Sequence, residues 1–116
     1  MKKVYFLSTC DTCRRIIKEL RIGDDFEYQD IKTDRITEDQ LAEMKDMAGS
    51  YEVLFSRVAR KYKELGLKEV KLTEEDYRNY ILEEYTFLKR PVFIIGDRIF
   101  IGNSKKNVEE LKMHIE

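Results

Sequence analysis

The chain has 116 residues, of which 42% are apolar and 39% charged, and a formal net charge of −1. That fits one compact domain with a single core and a well-solvated surface. It leaves no overall basic footprint for direct nucleic-acid binding, and no apolar run reaches the roughly 20 residues a membrane helix needs.

The N-terminal stretch MKKVYFLSTC has a basic start, but its apolar run spans only about five residues, too short for a signal-peptide core. It reads instead as the first strand, KVYFL (3–7), of a cytoplasmic protein. CRRIIKEL follows, with Ile16, Ile17 and Leu20 on one helical stripe and Gly23 as a stop. FEYQDI (26–31) reads as a second strand, so the opening segment is a βαβ unit with parallel strands.

The middle is helical. TEDQLAEMKDMA opens with Thr37 and Gln40 at capping-box spacing, and Leu41, Met44 and Ala48 share a face. EVLFSRVARKYKELG predicts one helix carrying Val53, Leu54, Val58, Tyr62 and Leu65, ended by Gly66. LTEEDYRNYILEEY starts at a Thr73 cap and carries Tyr77, Ile81 and the neighbourhood of Tyr85. The seven tyrosines read as packing residues, mostly in helices. RPVFIIGDRIFIG then reads as an antiparallel hairpin turning at Gly96 and Asp97. Ser104 caps a last helix with Val108, Leu111 and Ile115 inward. The order is β-α-β, three helices, β-β-α: an α/β, thioredoxin-like fold, one domain over 1–116 with a helical insertion at about 33–87.

The chemistry lies in TCDTCRR (9–15), which holds both cysteines. Cys10 and Cys13 sit where a loop feeds a helix, facing unpaired backbone N–H groups and the positive end of the helix dipole. Both favour a thiolate. Arg14 and Arg15 add to that push, and Asp11 opposes it. The spacing lets Cys13 resolve a mixed disulfide on Cys10, and a CxxC that opens a helix after a strand is a redox signal. Two other readings stand beside it. Zinc needs four ligands, and His114 is the only other soft candidate, so no metal is expected. Small buried packing cysteines are the second. Pro91, after Arg90, fits the first residue of a strand, or a cis Arg90–Pro91 bond. RVARKYK (57–63) is a basic stretch, read as a solvated face or an anion surface.

YFLSTCDTCRR, LFSRVARKYKELGL and FLKRPVFIIGDRIFIG together resemble the glutaredoxin-coupled arsenate reductase family, which includes the Spx transcriptional regulators. The resemblance covers essentially the whole chain. It implies a thioredoxin fold with an inserted helical subdomain and a cis Pro91 beside the cysteine loop. It implies Cys10 as the attacking thiolate, resolved by glutathione or by Cys13, with no bound cofactor and with glutathione or glutaredoxin as reductant. Arg14, Arg90, and either Arg57 or Arg60 match the family's anion-binding arginines. Ile101 stands where a further arginine is expected, with Arg98 nearby in the hairpin, so arsenate turnover is expected to be weak. The substrate would then be a small thiol or an oxyanion. Cys13 resembles the Spx branch, whose CxxC is a disulfide switch. That branch implies a regulator bound to the RNA polymerase alpha subunit instead of an enzyme.

Overall fold

The computed structural model describes residues 1–115. They form two compact units, Met1–Asp34 with the chain from Arg90 onward, and Arg35–Lys89.

The first unit is built on a four-stranded sheet of order β2-β1-β3-β4, with β1 Lys2–Phe6, β2 Glu27–Asp30, β3 Val92–Ile95 and β4 Arg98–Ile101. β1 runs parallel to β2 and antiparallel to β3, and β3 is antiparallel to β4. Register aligns Val4 with Phe93 and Phe93 with Phe100. These three side chains lie in one buried cluster with Ile16 and Leu20 of α1 (Asp11–Leu20), Phe26, and Leu111 of the last helix, α6 (Lys105–Ile115). The helical stripe expected from Ile16 and Leu20 is therefore the face that packs, and Cys13 lies on it, fully buried. Ile17 is only partly buried.

The β3–β4 hairpin turns where expected. Ile95 pairs with Arg98, leaving Gly96 and Asp97 as a two-residue loop. Gly96 has φ 61 at the first loop position, where a side chain would be strained and glycine is not. Ser104 caps α6 as expected, its hydroxyl accepting from the Asn107 amide at 3.1 Å.

One helix end differs from expectation. α1 stops at Arg21, which adopts the left-handed conformation with φ 53, its N–H reaching Lys18 O at 3.2 Å. Gly23 lies two residues too late to serve. The helix ends once its apolar stripe ends at Leu20, and a residue poorly suited to the cap takes it.

The second unit contains α2 (Glu38–Ala48), α3 (Tyr51–Leu54), α4 (Arg60–Glu64) and α5 (Glu74–Glu83), with single 3-10 turns at Leu67–Glu69 and Tyr85–Phe87. The Thr37–Gln40 capping box is formed, and Thr73 caps α5 with Asp76 as reciprocal partner. Leu41, Met44, Tyr77 and Ile81 are buried as read. The Arg35 guanidinium donates to the Leu82 and Glu83 carbonyls at 3.1 and 2.6 Å, satisfying the end of α5 with a cation where the dipole favours one.

The single helix expected over 52–66 is broken. Phe55 is extended (φ −82, ψ 128), the Ser56 amide donates to Phe87 O at 2.7 Å, and the Lys89 amide donates to Leu54 O at 2.8 Å. These bonds, with a Phe55–Leu88 bridge, pull the backbone out of the helix. Val58, assigned to the apolar stripe, is consequently 93% exposed, and Val53 and Leu65 are exposed as well. What gains is Phe55, fully buried and stacked on Phe87 at 4.9 Å, with Tyr77 at 4.9 Å and Tyr62 at 6.0 Å. Burying one such ring is worth roughly 1.5–3 kcal/mol, more than a turn of helix propensity. The tyrosines also divide: Tyr5 is a buried strand residue, and Tyr28 stands exposed on the edge strand β2.

Arg21→Gly is expected to raise stability by about 0.5–1 kcal/mol, because glycine removes the left-handed penalty at some cost in unfolded-state entropy. The Arg21 side chain is exposed, so little packing is lost. Urea denaturation checks it, and an unchanged or lower midpoint would refute it.

Candidate active site

The cysteine loop is held from two sides. The Cys10 amide donates to Leu7 O at 3.0 Å, closing a tight turn off β1, and the Arg14 amide donates to Cys10 O at 3.1 Å, starting α1. From β2, the Asp30 carboxylate accepts from the Ser8 amide at 3.3 Å and the Lys32 amide at 3.2 Å. The Ile31 amide donates to Phe6 O at 2.9 Å, keeping the strand ends together. Burial alone would raise the Asp30 carboxyl; the bonds from Ser8 and Lys32 and the charge of Lys32 outweigh it and hold the group below the ordinary carboxylate value. Asp30 is thus a positioning residue for the loop. Sequence reasoning passed over it; its signal is an acid ending the strand parallel to the one that carries the cysteines.

Cys10 is the residue that precedes the first turn of α1, with extended backbone (φ −97, ψ 110). No conventional side-chain cap closes this helix end. The Cys10 sulfur instead stands near the Thr12 and Cys13 amides, whose positive ends act on it. Partial burial pushes the Cys10 thiol up. The Cys13 amide and thiol, the Arg90 charge and the Thr12 amide together overcome that and leave Cys10 below the ordinary thiol value.

Cys13 is its opposite. It has no exposed surface, and burial pushes its thiol to about 12 despite the Leu7 amide facing the sulfur; negative charge on Cys10 pushes the same way. Both thiols are free.

Arg90 is the cation that acts on both sulfurs. The Arg90–Pro91 bond is cis, and the Pro91 carbonyl accepts from the Gly102 amide at 2.9 Å, tying the start of β3 to the end of β4. Arg14 behaves differently from its sequence reading. Its guanidinium is paired with the Asp11 carboxylate one helical turn back, so the two opposing charges compensate each other. Arg15 is placed beside Glu19 and α6, lining a groove of about 260 Å³ with Lys105, Glu109 and Lys112.

Within the second unit, Arg57 donates to Glu52 at 2.7 Å and to the Tyr77 hydroxyl at 2.9 Å, with its guanidinium carbon 5.7 Å from the Tyr77 ring centre. The Glu52 bond, first, and then Tyr77 raise its pKa against partial burial. Arg60 is exposed at the first position of α4. Ile101 and Arg98 close the two ends of β4, and Arg98 lies over Phe100, 5.8 Å from its ring centre. Among the described residues, no group of three or more His, Cys, Asp or Glu is arranged to hold a metal, and no helix is long and apolar enough to cross a membrane.

The cysteine pair thus stands where β1 feeds α1, on a sheet of thioredoxin-like order. Residues 5–111 match the model of the ArsC family, and the chain belongs to that family. Solved structures of the same fold include the arsenate reductase from Vibrio cholerae, at TM-score 0.77 and 17% identity over 94% of this chain and 95% of that one. An arsenate reductase (ArsC) related protein from Brucella melitensis gives 0.72 and 18% over 94% and 92%. SACOL0876 from Staphylococcus aureus COL gives 0.72 and 25% over 95% and 97%. A search of curated proteins finds no match.

The thiolate is the form that alkylates. Cys10 should therefore label with iodoacetamide along a pH curve whose midpoint lies below the ordinary thiol value of about 8.5. Cys13 should stay unlabelled in the folded protein. Arg90→Gln removes a charge that favours the Cys10 thiolate, so it should move the midpoint upward. Mass mapping of labelled peptides across pH checks this; equal labelling of the two cysteines, or an unmoved midpoint in Arg90→Gln, would contradict it.

Proposed function

We propose that the protein is a dithiol–disulfide oxidoreductase in which Cys10 attacks and Cys13 resolves. The supporting observation is the asymmetry of the pair: a half-buried thiol held below its ordinary value beside a fully buried thiol that keeps its proton. Only Cys10 has surface that an external sulfur can reach.

The steps balance as follows. The Cys10 thiolate attacks a disulfide RS–SR′, forming Cys10–S–S–R and releasing R′S⁻. Cys13 then attacks the Cys10 sulfur, its proton leaving with the departing RSH, and a Cys10–Cys13 disulfide forms. The substrate disulfide gains two electrons and the protein pair loses two. Two glutathiones, or the dithiol of a glutaredoxin, return them. The order of events has an electrostatic reason. Once Cys10 is in a mixed disulfide it carries no negative charge, so what Cys10 adds to burial in holding the proton on Cys13 is lost while Arg90 still favours its thiolate. A reducing compartment such as the cytoplasm suits a pair that must be returned to the dithiol in each turnover.

Arsenate is the poorer substrate in this reading. An oxyanion of that charge needs several converging cationic donors. Arg14 and Arg57 each have an acidic partner on their own segment, and Ile101 supplies no charge. A second reading uses the same pair as the redox switch of a regulator that binds the RNA polymerase alpha subunit. The basic stretch 57–63, with Val58 93% exposed, favours a docking role in that case.

Mild peroxide is expected to give an intramolecular Cys10–Cys13 disulfide. With a glutathione mixed disulfide as substrate, Cys10→Ser should abolish turnover, and Cys13→Ser should trap the adduct on Cys10. Arsenate-dependent turnover with glutathione and glutaredoxin should be at most marginal. Two free thiols after peroxide, or robust arsenate turnover, would sink the proposal. A stable polymerase complex without any turnover would move the choice to the regulator.

A further inference from the structure

Two consecutive peptide groups join the end of β2 to the two cysteines. The Phe6–Leu7 peptide accepts the Ile31 amide on its carbonyl at 2.9 Å, and its Leu7 N–H faces the Cys13 sulfur. The Leu7–Ser8 peptide accepts the Cys10 amide on its carbonyl at 3.0 Å, and its Ser8 N–H donates to the Asp30 carboxylate at 3.3 Å. The same carboxylate oxygen takes the Lys32 amide at 3.2 Å, so Asp30 is itself tied to the exit of its strand.

The two sulfurs are therefore placed by different anchors. Cys13 lies on the packed stripe of α1. Cys10 follows a turn whose corner is bound to β2. The groups that favour the Cys10 thiolate are the Cys13 amide and thiol, Arg90 and the Thr12 amide, and none of them is a partner of Asp30.

The two halves of the reaction make different demands on this arrangement. In the first attack an external disulfide moves to an accessible thiolate and adjusts to it. In the closing step both sulfurs belong to the protein, and a misplacement of about 1 Å can cost on the order of a hundredfold in rate. Resting on the redox reading above, we propose that Asp30 is a positioning residue for the closing step: by holding the Leu7–Ser8 corner it aligns Cys10 with the buried Cys13 sulfur. In that step a bond forms between the two cysteine sulfurs, the bond from Cys10 to the substrate sulfur breaks, and the substrate thiolate leaves with the electron pair. The Cys13 proton leaves with it.

The experiment uses the reduced full chain and excess dithiobis-nitrobenzoate, an aryl disulfide whose halves are coloured once released as thiolates. Attack by Cys10 releases the first in a phase whose rate rises with reagent concentration. Closure by Cys13 releases the second in a phase that does not depend on it and is lost in Cys13→Ser. Asp30→Ala should slow the second phase about tenfold or more and leave the first within about twofold. Asp30→Asn keeps an accepting oxygen for the two amides, so its second phase should stay within about threefold of wild type. Asp30→Glu keeps the charge but moves the oxygen by a methylene, and should slow the second phase alone. A merely stabilising Asp30 would lower the melting temperature and leave both phases as they are. An unchanged second phase in Asp30→Ala, equal slowing of both phases, or an Asp30→Asn as slow as Asp30→Ala overturns the proposal. If Asp30→Ala does not fold, an unchanged second phase in Asp30→Glu does so. A wild type that releases only the first thiolate overturns the redox reading and this proposal together, whereas two releases with unaffected Asp30 variants overturn this proposal alone.

Discussion

The burial of one stripe of α1 against the sheet is the constraint on which the site depends. Cys13, Ile16 and Leu20 share that stripe, and Ile16 and Leu20 meet Val4, Phe93 and Phe100 on three adjacent strands. Removing these side chains from water is worth roughly 1.5–3 kcal/mol each, which fixes the helix in rotation and in height. Rotation decides which thiol is inside. Height decides that Cys10 comes at the helix start, where amides without helical partners face it. The chemistry is thus a by-product of a packing requirement: a shift of one residue would take Cys13 off the buried stripe or Cys10 off the helix start.

Charge then refines what packing has placed. Two of the groups that favour the Cys10 thiolate are backbone: the amides of Cys13, the largest, and Thr12. Such dipoles are fixed by the helix and need no reorganisation when a proton leaves. The side-chain contributions come from the Cys13 thiol and then from Arg90, which is distant in sequence and carried to the cysteines by β3 lying beside β1. The arginines next to the cysteines in sequence are directed elsewhere, Arg14 to Asp11 and Arg15 towards α6. Closeness along the chain and closeness in electrostatic effect are different things here.

That difference also explains what the sequence could reveal. Features set by local chemistry were legible: the Thr37 and Thr73 caps, the Gly96 turn, the buried stripe of α1 and the cysteine pair opening a helix. The thioredoxin-like order of elements was legible in the residue pattern, and the cis Arg90–Pro91 bond followed from the resemblance. The break after Leu54 was hidden, because its cause is hydrogen bonding to Phe87 and Lys89, more than thirty residues away. Helical periodicity through Val58 was real in the letters and overruled by the burial of Phe55. Asp30 was hidden for the same reason, since its partner Ser8 sits on the neighbouring strand's exit loop. Arg57 had the residue type of an anion ligand, but its Glu52 and Tyr77 partners become visible only when α3 and α5 are folded.

The absence of exposed surface at Cys13 has a further consequence. A thiol that is part of the core belongs to the folding equilibrium as much as to the electron-transfer equilibrium. The two form one thermodynamic cycle: whatever free energy oxidation adds to or removes from the folded state must appear, with the same magnitude, in the reduction potential of the pair. The residues that pack around α1, Ile16 and Leu20 among them, are then tuning elements for electron affinity although none of them carries charge or touches a substrate. In this protein, conformational stability and redox poise are two readings of the same packed helix.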